Sequence, residues 1–251
     1  MKHFLPHFIQ ENYRNGILQG QLQACTMFVD LSGFTRLTES LMAKGPEGAE
    51  ELSGVLNHIF QPTVTLVYQQ GGFIPYFAGD SFTAIFPTER SNAVRVVATA
   101  RAILSRFKGQ QENPDSILSE HNIGIKIGLS EGMVEWGIVG KNRKGYYFRG
   151  DPIDGCAQAQ TRAGSLEAVA DTHFLRLLDP AIYEARVLGE GFFQMSVIPL
   201  ADEESKLLNA PTPPSLPLPE PDVAADFLPK EVFENQQAGE FRNVVSVFIS
   251  F

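Results

Sequence analysis

The sequence predicts an α+β fold, a ferredoxin-like β-sheet packed with helices, and three patterns carry that prediction. Apolar residues alternate at period two through Ile123, Ile125, Ile127 and Leu129, as a strand requires. They recur at helical spacing through Leu52, Val55, Leu56, Ile59 and Phe60. Two apolar runs, 73–77 and 81–86, flank Ala78-Gly79-Asp80 as the arms of a β-hairpin. Strands and helices are thus mixed along one chain, in the order β-α-α-β-β-α-β-β-α-β.

Taken in order, residues 25–31 form an apolar run of strand length, and Ser32-Gly33 turns the chain into a helix carrying Leu37 and Leu41. Gly45-Pro46 sets a proline at the start of the next helix, where its missing N–H is no loss. The apolar stripe of that helix continues through Val64 and Val67, past Pro62 as a point of kinking, until Gly71-Gly72 stops it. After the hairpin, Val94, Val97, Ile103, Leu104 and Phe107 mark another amphipathic helix. The alternating strand over 123–129 is followed by a second over 133–139. A turn over 140–145 then leads into Tyr146-Tyr147-Phe148. A helix over 152–163 and strands near Ala168 and Val197 complete the pattern.

At 43% hydrophobic and 20% charged residues the chain can bury a real core, which excludes global disorder. A net charge of −9 and a pI near 5.1 argue against a nucleic-acid partner. They leave room for a phosphate ligand, because a metal ion can bring the missing positive charge. The two cysteines, Cys25 and Cys156, lie in apolar contexts and do not make a disulfide scaffold. No run approaches the ~18 apolar residues of a membrane span, and the first residues lack a signal-peptide pattern. These features predict a soluble, cytoplasmic protein.

The length of 251 residues falls between one and two domains. Six of the twelve residues 210–221 are proline, a composition that reads as an extended linker. Beyond it, Phe248-Ile249-Ser250-Phe251 matches Phe28-Val29-Asp30-Leu31 at a spacing of 220 residues. The expected organisation is an N-terminal extension (1–20), a patterned domain (21–205), a proline-rich linker (206–235) and the first strand of a related second domain (236–251).

Chemistry concentrates at Asp30 and Asp80. Asp30 ends an apolar strand, where a carboxylate either caps the following helix or binds something. The small residues Ser32, Gly33 and Thr35 leave backbone N–H groups open at that helix start, an arrangement that attracts phosphate. Asp80 sits at a hairpin tip, where aspartate is an ordinary turn residue. Should the first strand pair beside the hairpin, two carboxylates would meet next to an anion-binding helix start. Oxygen ligands of that kind suit Mg²⁺, and two ions clamping attacking and leaving oxygens is the usual geometry of nucleotidyl transfer.

The segments Phe28-Val29-Asp30-Leu31-Ser32-Gly33-Phe34-Thr35, Gly71-Gly72 and Phe77-Ala78-Gly79-Asp80-Ser81 resemble the metal-binding signature of class III nucleotidyl cyclases. Glu50-Glu51-Leu52 with Leu56-Asn57, and Lys126-Ile127-Gly128-Leu129, fit the same pattern. The likeness covers roughly residues 20–200 and is greatest to the first catalytic domain of soluble-type adenylyl cyclases. The resemblance implies a nucleotidyl cyclase fold and two Mg²⁺ (or Mn²⁺) held by the catalytic residues Asp30 and Asp80, with the Leu31 carbonyl assisting. It implies triphosphate binding by backbone of Ser32, Gly33, Phe34 and Thr35 and by Lys126, which read on its own is a solvated residue of an alternating strand. The implied substrate is ATP ahead of GTP, and the implied partner is a second cyclase-like domain, from the same chain or a dimer mate.

Four positions depart from the family pattern. Tyr76 and Tyr147 stand where lysine and Asp or Thr read the purine, and Asp154 and Gln158 stand where Asn and Arg act on the transition state. All four belong to the half-site that one family member presents to the other, while the metal carboxylates are intact. The pattern implies division of labour: this domain brings metals, and a partner brings base recognition and the arginine. Ser250 at the position of Asp30 suits a metal-free partner. Tyr76 and Ala157 replace the lysine and arginine that bind bicarbonate in soluble-type relatives, which speaks against bicarbonate activation. The alternative is a catalytically degenerate regulatory, nucleotide-binding or dimerisation module. A palm-type nucleotidyl transferase would share the carboxylate pair, but Gly128 and Gly132 downstream fit it less well. Trp136 reads as a packed strand aromatic, and His58 and His121 lack partners at metal spacing. Cys25 reads as a small buried hydrophobe, and Lys141, Arg143 and Lys144 as a solvated turn.

Overall fold

The computed structural model describes residues 5–197 and 221–229. Its elements run α1 (His7–Arg14), β1 (Gln19–Ser32), α2 (Phe34–Met42), α3 (Pro46–Gln69), β2 (Phe73–Ala78), β3 (Ser81–Pro87), α4 (Ala93–Gln111) and α5 (Ile117–Glu120). They continue with β4 (Gly124–Val139), β5 (Gly145–Arg149), α6 (Asp151–Thr161), β6 (Glu167–Asp171), α7 (Thr172–Leu175), β7 (Tyr183–Gly189), β8 (Phe192–Val197) and α8 (Pro221–Phe227). The strands form one mixed sheet ordered β2-β3-β1-β4-β6-β8-β7, with β5 paired to β4. The β4–β6 pair is parallel and the others are antiparallel. The expected α+β class is what forms.

Side-chain parity decides what each face of the sheet holds. Cys25, Met27, Val29 and Leu31 of β1, with Phe82, Ala84 and Phe86 of β3 and Ile125, Ile127 and Leu129 of β4, pack under α2, α3 and α4 in the main core. The opposite parity, Ala24, Ile85, Val134, Trp136 and Ile138, packs under α1 and α8 in a second core. Between those helices and the sheet's far edge lies α6, on the same side. It is tied to β1 where Thr26 Oγ1 donates to the Pro152 carbonyl at 2.6 Å, while Ser130 Oγ of β4 donates to Asp171 at the end of β6.

Several boundaries differ from expectation, each for a physical reason. The first strand extends to Gln19–Ser32, because the polar residues Gln19, Gln21 and Gln23 pair with β4 at the exposed end of the sheet. The two strands expected over 123–129 and 133–139 are one, since Gly132 stays in register opposite Ala24. Pro62 lies inside an uninterrupted α3, with Thr63 Oγ1 bonded back to the Ile59 carbonyl at 3.1 Å. The edge strand β7 carries no apolar period: Val187, 69% exposed, has nothing to pack on.

Within the expected N-terminal extension, α1 buries Ile9 and stacks Phe8 on Phe73 at 5.2 Å. Within the expected linker, α8 starts on Pro221, a favoured first helical residue, and turns Val223, Ala224 and Phe227 inward. Phe227 meets Tyr13 edge-on at 5.1 Å, and the Lys144 N–H donates to the Asp226 carbonyl at 2.7 Å. The remaining linker residues and the strand expected over 236–251, including Ser250, lie outside the described residues. No helix among the described residues is long and apolar enough to cross a membrane.

Cys25 and Cys156 are both free and buried, and burial pushes each thiol up to about 12. Thiolate is the reactive form, so the folded chain is expected to resist a thiol-specific chromophore at pH 8. Both sulfurs should react at once in denaturant. Labelling in the native state at the denatured rate would contradict this burial.

Candidate active site

Two strand pairings assemble the site. Asp30 lies opposite Ser81 across β1–β3 and opposite Lys126 across β1–β4, on the face away from the main helical layer. The Leu31 N–H donates to the Asp80 carbonyl at 3.2 Å, which pins the hairpin tip to the end of β1. The turn itself needs Gly79 at φ 64°, and Ser81 Oγ closes it by donating to the Ala78 carbonyl at 3.0 Å. Asp30, Leu31 and Asp80 are thereby brought together, with Lys126 beside them.

Burial and mutual repulsion shape the electrostatics of the pair. The Asp30 carboxyl is half-buried and held above the usual carboxylate range, first by burial and then by the negative charge of Asp80. Lys126 and a hydrogen bond from Gln160 oppose that shift without cancelling it. Two carboxylates kept close under partial desolvation fit a hard divalent ion, which takes oxygen ligands and often no more than two carboxylates. Among the described residues no group of three His, Cys, Asp or Glu gathers as a metal-binding cluster.

The start of α2 lies next to the pair. Gly33 caps the helix in the left-handed region at φ 83°, and no side chain caps the first turn. A Cβ at Gly33 would stand 2.8 Å from the Asn122 carbonyl, so the turn is open only to glycine. The Ser32, Gly33, Phe34 and Thr35 backbone therefore follows directly on the carboxylate strand, as the sequence led one to expect.

The four departing positions lie elsewhere. Tyr76 and Tyr147 are 43% and 38% exposed on β2 and β5. The Tyr147 ring lies over Gly137, where any Cβ would meet it at 2.7 Å, and the Arg149 guanidinium sits 5.8 Å from its centroid. Asp154 and Gln158, one turn apart, occupy the solvent face of α6, with Ala157 half-buried between them. None of these hydrogen-bonds to the Asp30 side chain, whose partner is on another residue of α6. Trp136 is buried against Phe8 and His58 is exposed. His121 lies 3.9 Å from Glu120, and Lys144 Nζ donates to the Gly140 carbonyl at 2.9 Å.

Gln160 is the site residue that sequence reasoning missed. It is 8% exposed, and its Nε2 donates to Asp30 Oδ2 at 2.7 Å. The signal was available: Gln160 shares the buried stripe of Cys156, Ala159 and Ala163, where a polar side chain needs a partner.

A model of the adenylate and guanylate cyclase catalytic domain matches residues 18–191. The chain belongs to that family. Adenylate cyclase type 10 of Oryctolagus cuniculus is 29% identical over 187 residues, which is 72% of this chain and 11% of that protein. The Homo sapiens adenylate cyclase type 10 is likewise 29% identical, over 188 residues, with the same coverage. This cyclase domain therefore spans about a tenth of the length of those relatives. Its fold is that of solved cyclases. The adenylyl cyclase CyaB from P. aeruginosa superposes with a TM-score of 0.59 at 19% identity, over 72% of this chain and 97% of that one. A bacterial light-regulated adenylyl cyclase gives 0.62 at 20% identity, over 82% and 63%. A guanylate cyclase domain from Catenaria anguillulae, solved with GTP, gives 0.57 at 15% identity, over 71% and 98%.

Proposed function

We propose that this cyclase domain is the metal-binding half of an adenylyl cyclase that converts ATP to 3′,5′-cyclic AMP and pyrophosphate, active with a complementary second cyclase-like domain. The observation that carries this reading is the meeting of Asp30 and Asp80 beside Lys126, while Tyr76, Tyr147, Asp154 and Gln158 stand on exposed surfaces away from them. ATP over GTP rests on the adenylate cyclases among the relatives. Two free cysteines accord with a reducing compartment such as the cytoplasm.

In this reading Asp30, Asp80 and the Leu31 carbonyl hold two divalent cations, Mg²⁺ or Mn²⁺. Once bound, these supply the charge that makes the ribose 3′-hydroxyl a nucleophile and pyrophosphate a leaving group. The chain's own part is positional and electrostatic. Asp30 and Asp80 fix where the positive charge sits. Backbone N–H groups from Ser32 to Thr35 and the Lys126 ammonium hold the triphosphate, so that the α-phosphate faces the 3′-oxygen in line. The purine and the charge developing on the α-phosphate are left to the partner, since Tyr76, Tyr147, Asp154 and Gln158 supply neither a lysine nor an arginine.

The same four residues favour a second reading, a degenerate module that binds nucleotide or dimerises without turnover. Product analysis separates the two. The full-length chain given Mn²⁺ with ATP or GTP is expected to yield cyclic AMP in excess of cyclic GMP. The 251-residue chain alone should be slower by ~10²–10³-fold, the usual loss when a donor to developing charge is missing. Nucleotide binding without either cyclic product in the full-length chain would establish the degenerate module instead.

A further inference from the structure

We propose that Gln160 is the positioning residue for Asp30: its amide holds Oδ2 of that carboxylate, so that Oδ1 is presented toward the cation site shared with Asp80. The inference rests on the metal-binding reading above and adds to it a residue that no motif marks.

Three observations support it. The hydrogen bond is short, 2.7 Å, and its donor is a neutral amide from a helix, where a lysine or arginine would itself neutralise Asp30 and compete with the cation. Gln160 is buried, so its side chain cannot wander into water as a surface glutamine would. Its backbone is placed by a close approach of α6 to β4. A Cβ at Gly128 would lie 1.9 Å from the Cys156 carbonyl and 2.4 Å from the Gln160 nitrogen. Gly128 is two residues along β4 from Lys126, the strand partner of Asp30. One glycine thus lets the helix descend where the carboxylate must be held.

A carboxylate that binds metal works best when an outer hydrogen bond fixes its orientation. Without Gln160, Asp30 would be free to turn about its side-chain torsions and would lose a preset geometry. Its neighbour Lys126 faces the same pocket and offers a rival partner of opposite charge.

The test measures Mn²⁺ binding to the 251-residue chain without nucleotide, by the loss of the free-ion electron paramagnetic resonance signal, for wild type, Gln160→Met, Gln160→Asn and Asp30→Ala. Methionine keeps the length and apolar stem but has no donor, and asparagine ends one methylene short. Each is expected to weaken Mn²⁺ binding by about 10–100-fold, as loss of an outer-shell partner does, and Asp30→Ala to abolish it. Wild-type affinity in a folded Gln160→Met or Gln160→Asn chain overturns the proposal, and so does unfolding of both variants, which would make Gln160 a structural residue. Should Asp30→Ala itself bind as wild type does, the metal-site reading fails, separately from the role of Gln160.

Discussion

An Asp30→Asn chain is expected to lose cyclic AMP production by at least ~10²–10³-fold, the scale set by deleting one group aimed at transition-state charge, while its apo form becomes no less stable. Asparagine keeps an oxygen for the Gln160 amide and the volume of the side chain. What it removes is the charge. In the folded apo chain that charge is disfavoured, because burial and Asp80 raise the carboxyl above its ordinary range. The sign follows directly: a raised folded pKa means that the ionised form weakens the fold above that pKa, and the penalty disappears as pH falls through it. Thermal scans in chelator at pH 7 and at pH 4 should therefore find Asp30→Asn at or above wild type at pH 7, with the difference shrinking at pH 4. A loss of stability at pH 7 would show that Asp30 serves the fold. Undiminished cyclic AMP production by the full-length variant would remove the proposed activity.

Gly128→Ala is expected to be strongly destabilising for a single added methyl group. The atoms it would strike, the Cys156 carbonyl and the Gln160 nitrogen, are backbone and cannot rotate aside. The whole of α6 must lift from β4. Overpacking of this kind destabilises by about 1–3 kcal/mol, which for a chain of this size lowers Tm by ~2–12 °C. The lift also carries Gln160 away from Asp30 and drags on the buried bond from Thr26 to the Pro152 carbonyl. Calorimetry of the variant, with Mn²⁺ binding measured below its Tm, checks both effects. An unchanged melting curve would mean that α6 can retreat at no cost.

Much of the sheet was legible in the sequence because apolar alternation is a direct record of which face is buried. The strand around Ile127 declared itself in that way, the one around Val29 as an apolar run of strand length, and the hairpin that carries Ile85 through its Gly-Asp turn. Elements that bury little left little trace. The edge strand β7 exposes Val187, and the outer end of β1 alternates glutamines with other residues. The helices α1 and α8 are each about two turns long, and each makes sense only against the sheet face that the other helps to cover. A short apolar cluster beside prolines carries no sign of such a face.

The same division runs through the site. Asp30 and Asp80 were conspicuous because a carboxylate beside an apolar strand and one in a Gly-Asp turn each stand out locally, and because the surrounding segments resemble a known family. Gln160 was hidden, since its importance depends on how closely α6 approaches β4 at Gly128 and on which strand residue lies beside that point. By itself the sequence determined the fold class, because periodicity records buried faces along the chain, and it pointed to the cyclase family and the two aspartates through segments that resemble that family. Only the tertiary structure decided which side chains share the Asp30 pocket. Strand register, Asp30 against Ser81 and Lys126, and the descent of α6 onto Gly128 are distances between segments remote in sequence. They are set by packing that no local pattern encodes.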